Sequence, residues 1–151
     1  MEDNHLQGRC YGSFRRHGLF YGDELVGVIS IGKSRFSKKY DYEIQRISTK
    51  KFTNVVGGTS RLLGTISDLH NVVCYQEKRT GGVPSIVYDK YMYRSEDTPV
   101  GWFGFDMRKG DKRSRMSYMK HKLPDGFDLT GQRICKIWDC GNFTFVKPWD
   151  G

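Results

Sequence analysis

N-V-V-G-G-T-S-R-L-L, Asn54 to Leu63, is the stretch on which the fold turns. Two β-branched valines run into two glycines, two hydroxyl residues follow, and then a leucine pair. Upstream, Y-D-Y-E-I-Q-R-I-S-T alternates with period 2. Tyr40, Tyr42, Ile44 and Arg46 fall on one side and Asp41, Glu43, Gln45 and Ile47 on the other, which predicts a strand. Downstream, Leu62, Leu63, Ile66 and Leu69 sit at i, i+1, i+4 and i+7, one face of a helix. Thr59 or Ser60 is the expected N-cap, and Gly64 costs such a helix about 1 kcal/mol relative to Ala. Asn71 to Gln76, N-V-V-C-Y-Q, reads as a further buried strand. The order is therefore strand, Gly-Gly, helix, strand. A helix start presents free N–H groups and a partial positive charge, and glycines let a phosphate reach them. A tight loop needing positive φ explains the same glycines.

Working outward, Gly18 to Tyr21, a Gly22-Asp23 turn and Glu24 to Ile31 form a predicted hairpin. Residues 1–17 read as a short helix followed by a loop. Val83 to Tyr93 opens with Pro84, which suits the first position of a short helix, while Ile86-Val87 argues for a strand. Ile134–Trp138 and Phe143–Val146 read as strands around an Asp-Cys-Gly-Asn turn. No repeat, low-complexity tract or composition shift divides the chain, so residues 1–151 are expected to form one domain.

The length of 151 residues suits one hydrophobic core. An aromatic content of 14% argues against disorder. The apolar runs are strand-sized, as in Leu25 to Ile31, and no stretch approaches a membrane span. The acidic, polar opening M-E-D-N-H-L-Q-G is unlike a secretory signal. A soluble, intracellular protein is the expectation. Cys10, Cys74, Cys135 and Cys140 match no zinc spacing and read as reduced thiols, with no metal expected.

Charge points to an anionic partner. The net charge is +8, from 25 basic and 17 acidic residues. Arg108, Lys109, Lys112, Arg113, Arg115, Lys120 and Lys122 are opposed within their run only by Asp111. A second group, Lys33, Arg35, Lys38 and Lys39, carries Phe36 and Tyr40 among its charges. Basic side chains track phosphates and aromatic rings stack on exposed bases. A solvated surface is the plainer reading of either run alone, but the two together with the net charge favour nucleic acid.

Val83 to Tyr93 resembles the Y-x-K-x-G-F helix–strand signature of the GNAT N-acyltransferases through Tyr88, Lys90 and Tyr93, with Met92 where that signature has Gly. Asn54 to Ser60 resembles their acyl-CoA pyrophosphate loop, Q/R-x-x-G-x-G/A, with Gly57 matching and Asn54 and Thr59 departing. Further strings are similar to the Mom-like, GNAT-related domain found alone or attached to phage homing endonucleases. They are N-H-L-Q-G (4–8), G-L-F-Y-G-D-E-L-V (18–26), G-K-S-R-F-S-K-K-Y-D-Y-E-I-Q-R (32–46), V-V-G-G-T-S (55–60), K-H-K-L (120–123) and I-W-D-C-G-N (137–142). The resemblance runs along nearly the whole chain and implies the stand-alone form.

It implies an α/β (α+β) fold in which a central, twisted mixed sheet is flanked by helices. Two neighbouring parallel strands, about Asp41–Ser48 and Asn71–Gln76, would splay to admit acetyl-CoA or a related acyl-CoA. Val55, Val56, Gly57, Gly58, Thr59, Ser60 and Arg61 would hold its pyrophosphate. Acyl transfer to an amine needs a neutral amine, a polarised carbonyl and a protonated leaving thiolate. By resemblance Tyr88 protonates the thiolate, and a packing tyrosine is the alternative. Glu43 is a candidate base, or a salt-bridged carboxylate. Arg46 would meet a phosphate or the substrate, or pair with an acid. Asp139 is raised to a site candidate by the family string. His5 and His121 carry little weight. Mom-type proteins modify adenine in phage DNA against restriction, which implies the cytoplasm of an infected bacterium and a flipped-out base. Tyr40, Tyr42 and Trp102 are candidates to stack on that base, or are core residues. A non-catalytic module that binds DNA or a host protein is the alternative function.

Overall fold

The structure, a computed structural model, describes residues 11–148. His5, Cys10 and the N-H-L-Q-G string lie outside the described residues. The chain folds as mixed α+β with little helix. A six-stranded sheet is ordered Ser13–Tyr21, Glu24–Lys33, Tyr42–Thr49, Val72–Glu77, Asn142–Lys147, Tyr93–Ser95, and a three-stranded sheet is ordered Asp111–Ser114, Trp102–Asp106, Ile134–Trp138.

β1 (Ser13–Tyr21) and β2 (Glu24–Lys33) form an antiparallel hairpin about the Gly22-Asp23 turn, and β3 (Tyr42–Thr49) pairs antiparallel with β2. β1 corrects the helix-and-loop expectation for residues 13–17. Its alternation is hidden in sequence because Arg15, a polar residue, takes a half-buried position, where its guanidinium bonds the Asp68 carboxylate at 2.7 and 2.9 Å.

α1 (Gly58–Gly64) follows, then β4 (Val72–Glu77) and a single helical turn, α2 (Lys78–Gly81). Leu62, Leu63, Ile66 and Leu69 are all buried, as their spacing predicts, although the last two lie in turns beyond the helix. The cap differs from expectation. Gly57, at φ 70°, occupies the N-cap with no side-chain bond, and Thr59 and Ser60 lie inside the helix. Helices do not flank the sheet on any scale: among the described residues α1 is the longest, at seven residues.

A short 3-10 turn at Ile86–Tyr88 and the brief β5 (Tyr93–Ser95) resolve the ambiguous segment, so neither a full helix nor a long strand forms there. β6 (Trp102–Asp106), β7 (Asp111–Ser114) and β8 (Ile134–Trp138) make the small sheet. β9 (Asn142–Lys147) returns to the large one between β4 and β5.

The core sits on the large sheet. Ile29, Ile31, Val72 and Phe145 are fully buried and pack with Leu62 and Leu63 of α1. None of the buried core comes from β6, β7 or β8, so the small sheet stands beside the core as an arm. Among the described residues no helix is long and apolar enough to cross a membrane.

Candidate functional site: the cleft between β3 and β4

Register decides where the site is. β3 pairs with β2 over nearly its whole length but with β4, parallel, at only three positions: Tyr42 with Val72, Glu43 with Val73 and Ile44 with Cys74. Beyond Ile44 the two strands part. The opening is a cavity of about 1050 Å³ lined by Glu43 to Thr49 of β3 and Cys74 to Glu77 of β4. From Gln45 onward one backbone edge of β3 faces this space instead of a neighbouring strand. Ligand pockets commonly run from about 300 to 1,000 Å³, so this one stands at the top of that range.

Tyr88 stands in the cavity wall. Its ring stacks on Phe145 with centroids 4.5 Å apart. Its hydroxyl and the Cys74 thiol interact, each shifting the other's hold on its proton. The charge of Cys74 and burial push the Tyr88 hydroxyl well above the ordinary tyrosine range, so it keeps its proton at any working pH. Burial pushes the Cys74 thiol up to about 12, with the Glu43 charge adding to the rise and the Tyr88 bond opposing it. Cys74 is thus a closed thiol rather than a nucleophile. Iodoacetamide at pH 8 is expected to alkylate the exposed Cys135 and Cys140 in the folded protein and to reach Cys74 only in denaturant. Peptide mass mapping reads this, and rapid native labelling of Cys74 would refute it. The folded thiol holds its proton more tightly than the ordinary value of 9.0. The stability this confers is present below pH 9 and drains as pH rises towards about 12.

Glu43 is 2% exposed and fully engaged. The Arg35 guanidinium meets it at 2.5 and 3.2 Å, and the Arg35 backbone N–H at 3.0 Å. It anchors Arg35 at the cavity wall and has little accepting capacity left for a proton in transit. Glu77 also lines the cavity. Its side chain is 20% exposed and pairs with the surface Arg79 at 3.1 Å, which makes it the more accessible carboxylate there. Arg46 lines the same space and donates to the Gln45 carbonyl at 2.6 Å.

Asp139 is elsewhere. Its Oδ1 accepts from the Gly101 and Gly141 N–H groups, both at 2.8 Å, and it is absent from the lining. The string I-W-D-C-G-N is the crossing between the two sheets. A Cβ at Gly141 would fall 2.5 Å from the Thr98 carbonyl, and its φ is 71°. Its residues therefore answer to a structural demand.

The loop 55–61 is not in the cavity lining. The chain leaves the lining at Thr49 and reaches Gly57 through residues 50–56. Gly57 has open space where a Cβ would stand. Gly58 does not, since a Cβ there would meet Val55 Cγ1 at 2.9 Å and Leu19 Cδ2 at 3.3 Å. The first turn of α1 has no acidic residue, and the exposed Arg61 follows.

The two basic groups, far apart in sequence, meet at this cavity, where Arg35 comes from one and Arg115 from the other. Lys33, Lys38 and Lys39 are exposed around the β2–β3 loop. Arg108, Lys109, Lys112, Arg113 and Lys122 are exposed on the arm and the turns after it, and Lys120 opens a 3-10 turn there with the exposed His121. Part of this charge is spent locally. Arg113 pairs with Asp111 at 3.2 Å and Arg35 with Glu43 at 2.5 Å, while Arg108 keeps its charge and donates to the neutral Gln132. Among the aromatic candidates Tyr42 packs into the core, Tyr40 lies 5.6 Å from the Lys39 ammonium, and Trp102 belongs to the arm. Phe36, 77% exposed, is the aromatic at the cavity rim. Among the described residues no cluster of three or more His, Cys, Asp or Glu is placed to hold a metal ion.

No family model matches the chain, and no curated protein matches it in sequence.

The period-2 reading put Glu43 and Arg46 on opposite faces of one strand, with Tyr88 on a separate segment, and all three line the cavity. The parallel strand expected at about Asn71–Gln76 is the second wall and takes in Cys74, whereas Glu77 and the 98–101 segment were missed. Nothing in their spacing marks them, since strand pairing alone brings them to the cleft.

Proposed function

We propose that the protein is an acyl-CoA-dependent N-acyltransferase of the GNAT-related, Mom-like kind, acting on a base in DNA. The observation that carries this reading is the parting of β3 from β4, which opens a cavity of about 1050 Å³ with the Tyr88 wall inside it.

The residues suit an acyl-CoA. The free edge of β3 offers backbone N–H and C=O groups to an extended, amide-bearing chain, as an added strand would use them. Gly57 and the uncapped first turn of α1, followed by Arg61, suit a pyrophosphate. The cofactor supplies an activated thioester carbonyl. The chain's part is to hold a proton at Tyr88 Oη for the departing sulfur and to accept one at Glu77 from the attacking amine. Arg115 and Arg46 bring positive charge to the same space, where a phosphate flanking the target base would rest.

Calorimetric titration with acetyl-CoA tests the reading. The parent is expected to bind, and Arg61→Glu to weaken binding about tenfold, roughly 1.4 kcal/mol. Arg61 is exposed, so its reversal spares the fold, whereas a side chain at Gly58 would displace Val55 and Leu19. A folded parent that binds neither acetyl-CoA nor CoA would sink the acyltransferase. The plain DNA-binding module, which rests on the two basic groups meeting at the cleft, would then stand alone.

A further inference from the structure

The arm exposes a surface that the cleft does not explain. Residues directly opposite in an antiparallel pair share a face. Trp102 faces Trp138, while Gly104 faces Lys136 on one side and Arg113 on the other. One face of the arm therefore carries two tryptophans, Lys136 and Arg113, with Asp111 paired to Arg113 and Asp106 buried on the same face. The two tryptophans and Lys136 meet on it. The Trp102 and Trp138 rings lie 6.5 Å apart, and the Lys136 ammonium sits 4.9 Å over Trp102.

Tyr118 completes the group by lying across Gly104, where a Cβ would come within 2.3 Å of its ring, and stacking on Trp102 at 6.0 Å. Trp102 is thus clamped from the sides, and Trp138 is left 60% exposed. An exposed tryptophan is costly in water. This one is flat, held in place by its neighbours, and beside a lysine. Tyr118 ends the 3-10 turn that begins at Arg115, and Arg115 lines the cleft. The aromatic face and the cleft are therefore joined by one four-residue turn.

We propose that this face is a stacking platform for an unpaired nucleic-acid strand, with Trp138 taking a base and Lys136 the neighbouring phosphate. Two features select this occupant. Lys136 stands beside the exposed Trp138, where a protein-docking patch would be depleted of lysine, and exposed aromatics beside basic groups are how single strands are held without sequence preference. The platform deepens the DNA half of the proposed function by naming an unpaired strand as what is led to the cleft, and it is independent of acyl-CoA binding.

Fluorescence anisotropy with labelled 12-mer oligothymidine, oligouridine and a 12-base-pair DNA duplex tests it, on the parent, Trp138→Ala, Trp138→Phe and Lys136→Glu. Thermal melts establish that each variant is folded. The parent should prefer single strands to duplex. Trp138→Ala should lose about 5- to 100-fold in single-strand affinity, Trp138→Phe should keep most of it, and Lys136→Glu should bind more weakly and with a shallower salt dependence. The two single strands separate a DNA reader from an RNA reader. Equal affinity for duplex and single strand, with Trp138→Ala unchanged, would overturn the platform and leave phosphate binding in place. No affinity for any of the three would overturn both platform and DNA, and would turn the face towards a protein partner. Acetyl-CoA titration is untouched by either result.

Discussion

Tyr88→Phe is expected to leave acetyl-CoA affinity within about twofold of the parent and to slow acyl transfer to DNA by roughly 10²- to 10⁴-fold, the usual worth of a positioned proton donor. The separation of the two effects follows from geometry. The ring is held by its stack on Phe145, which phenylalanine preserves, so the cavity keeps its shape. Only the hydroxyl goes, and with it the interaction with the Cys74 thiol. Single-turnover transfer, followed by mass spectrometry of digested nucleosides, reads the rate while calorimetry reads binding. A variant as fast as the parent would make Tyr88 a packing residue and would move the proton donor elsewhere. A variant that neither binds nor transfers would show that the hydroxyl builds the pocket.

Arg35→Ala should be the most destabilising single change on the cleft wall, by about 3 kcal/mol. The Glu43 carboxylate is 2% exposed and takes two of its three hydrogen bonds from the Arg35 guanidinium. Removing Arg35 leaves a charge in a dry site with one backbone donor. The guanidinium is less dependent on its partner, since its side chain is 40% exposed and water reaches it. Glu43→Gln should therefore cost less, and Arg35→Ala combined with Glu43→Gln should recover much of the loss. Urea denaturation of the three variants measures this. If the double change costs the sum of the singles, the two residues are not coupled and the anchor is elsewhere.

The parts legible in sequence are those governed by short-range pattern. The period-2 run over Tyr42–Thr49 and the buried spacing of Leu62, Leu63, Ile66 and Leu69 are both present. β1 was obscured at its start because Arg15 sits inward and is neutralised by Asp68, fifty-three residues away. The cap of α1 was misplaced because Gly57 adopts a left-handed conformation that no hydroxyl residue needs to assist. The two strands flanking Asp139 were read as joined by a turn, and they enter different sheets, β8 pairing with β6 while β9 pairs with β4 and β5. A turn signal shows that the chain reverses but not which sheet it enters. The site was legible where it lies on β3, on β4 as far as Gln76 and on the Tyr88 turn. The remainder of its wall is assembled by long-range pairing.

That pairing also sets an order of assembly. β1, β2 and β3 form a meander of near neighbours, which closes few long loops and can order early. β4 waits for β9, which supplies its partner at every position from Val72 to Glu77 and brings Phe145 against Tyr88. The meander can thus be native while the cleft has only one wall. Recovery of the Tyr88 environment on refolding should trail recovery of the first three strands, because the chain must close the span from β4 to β9 before the tyrosine has anything to rest on.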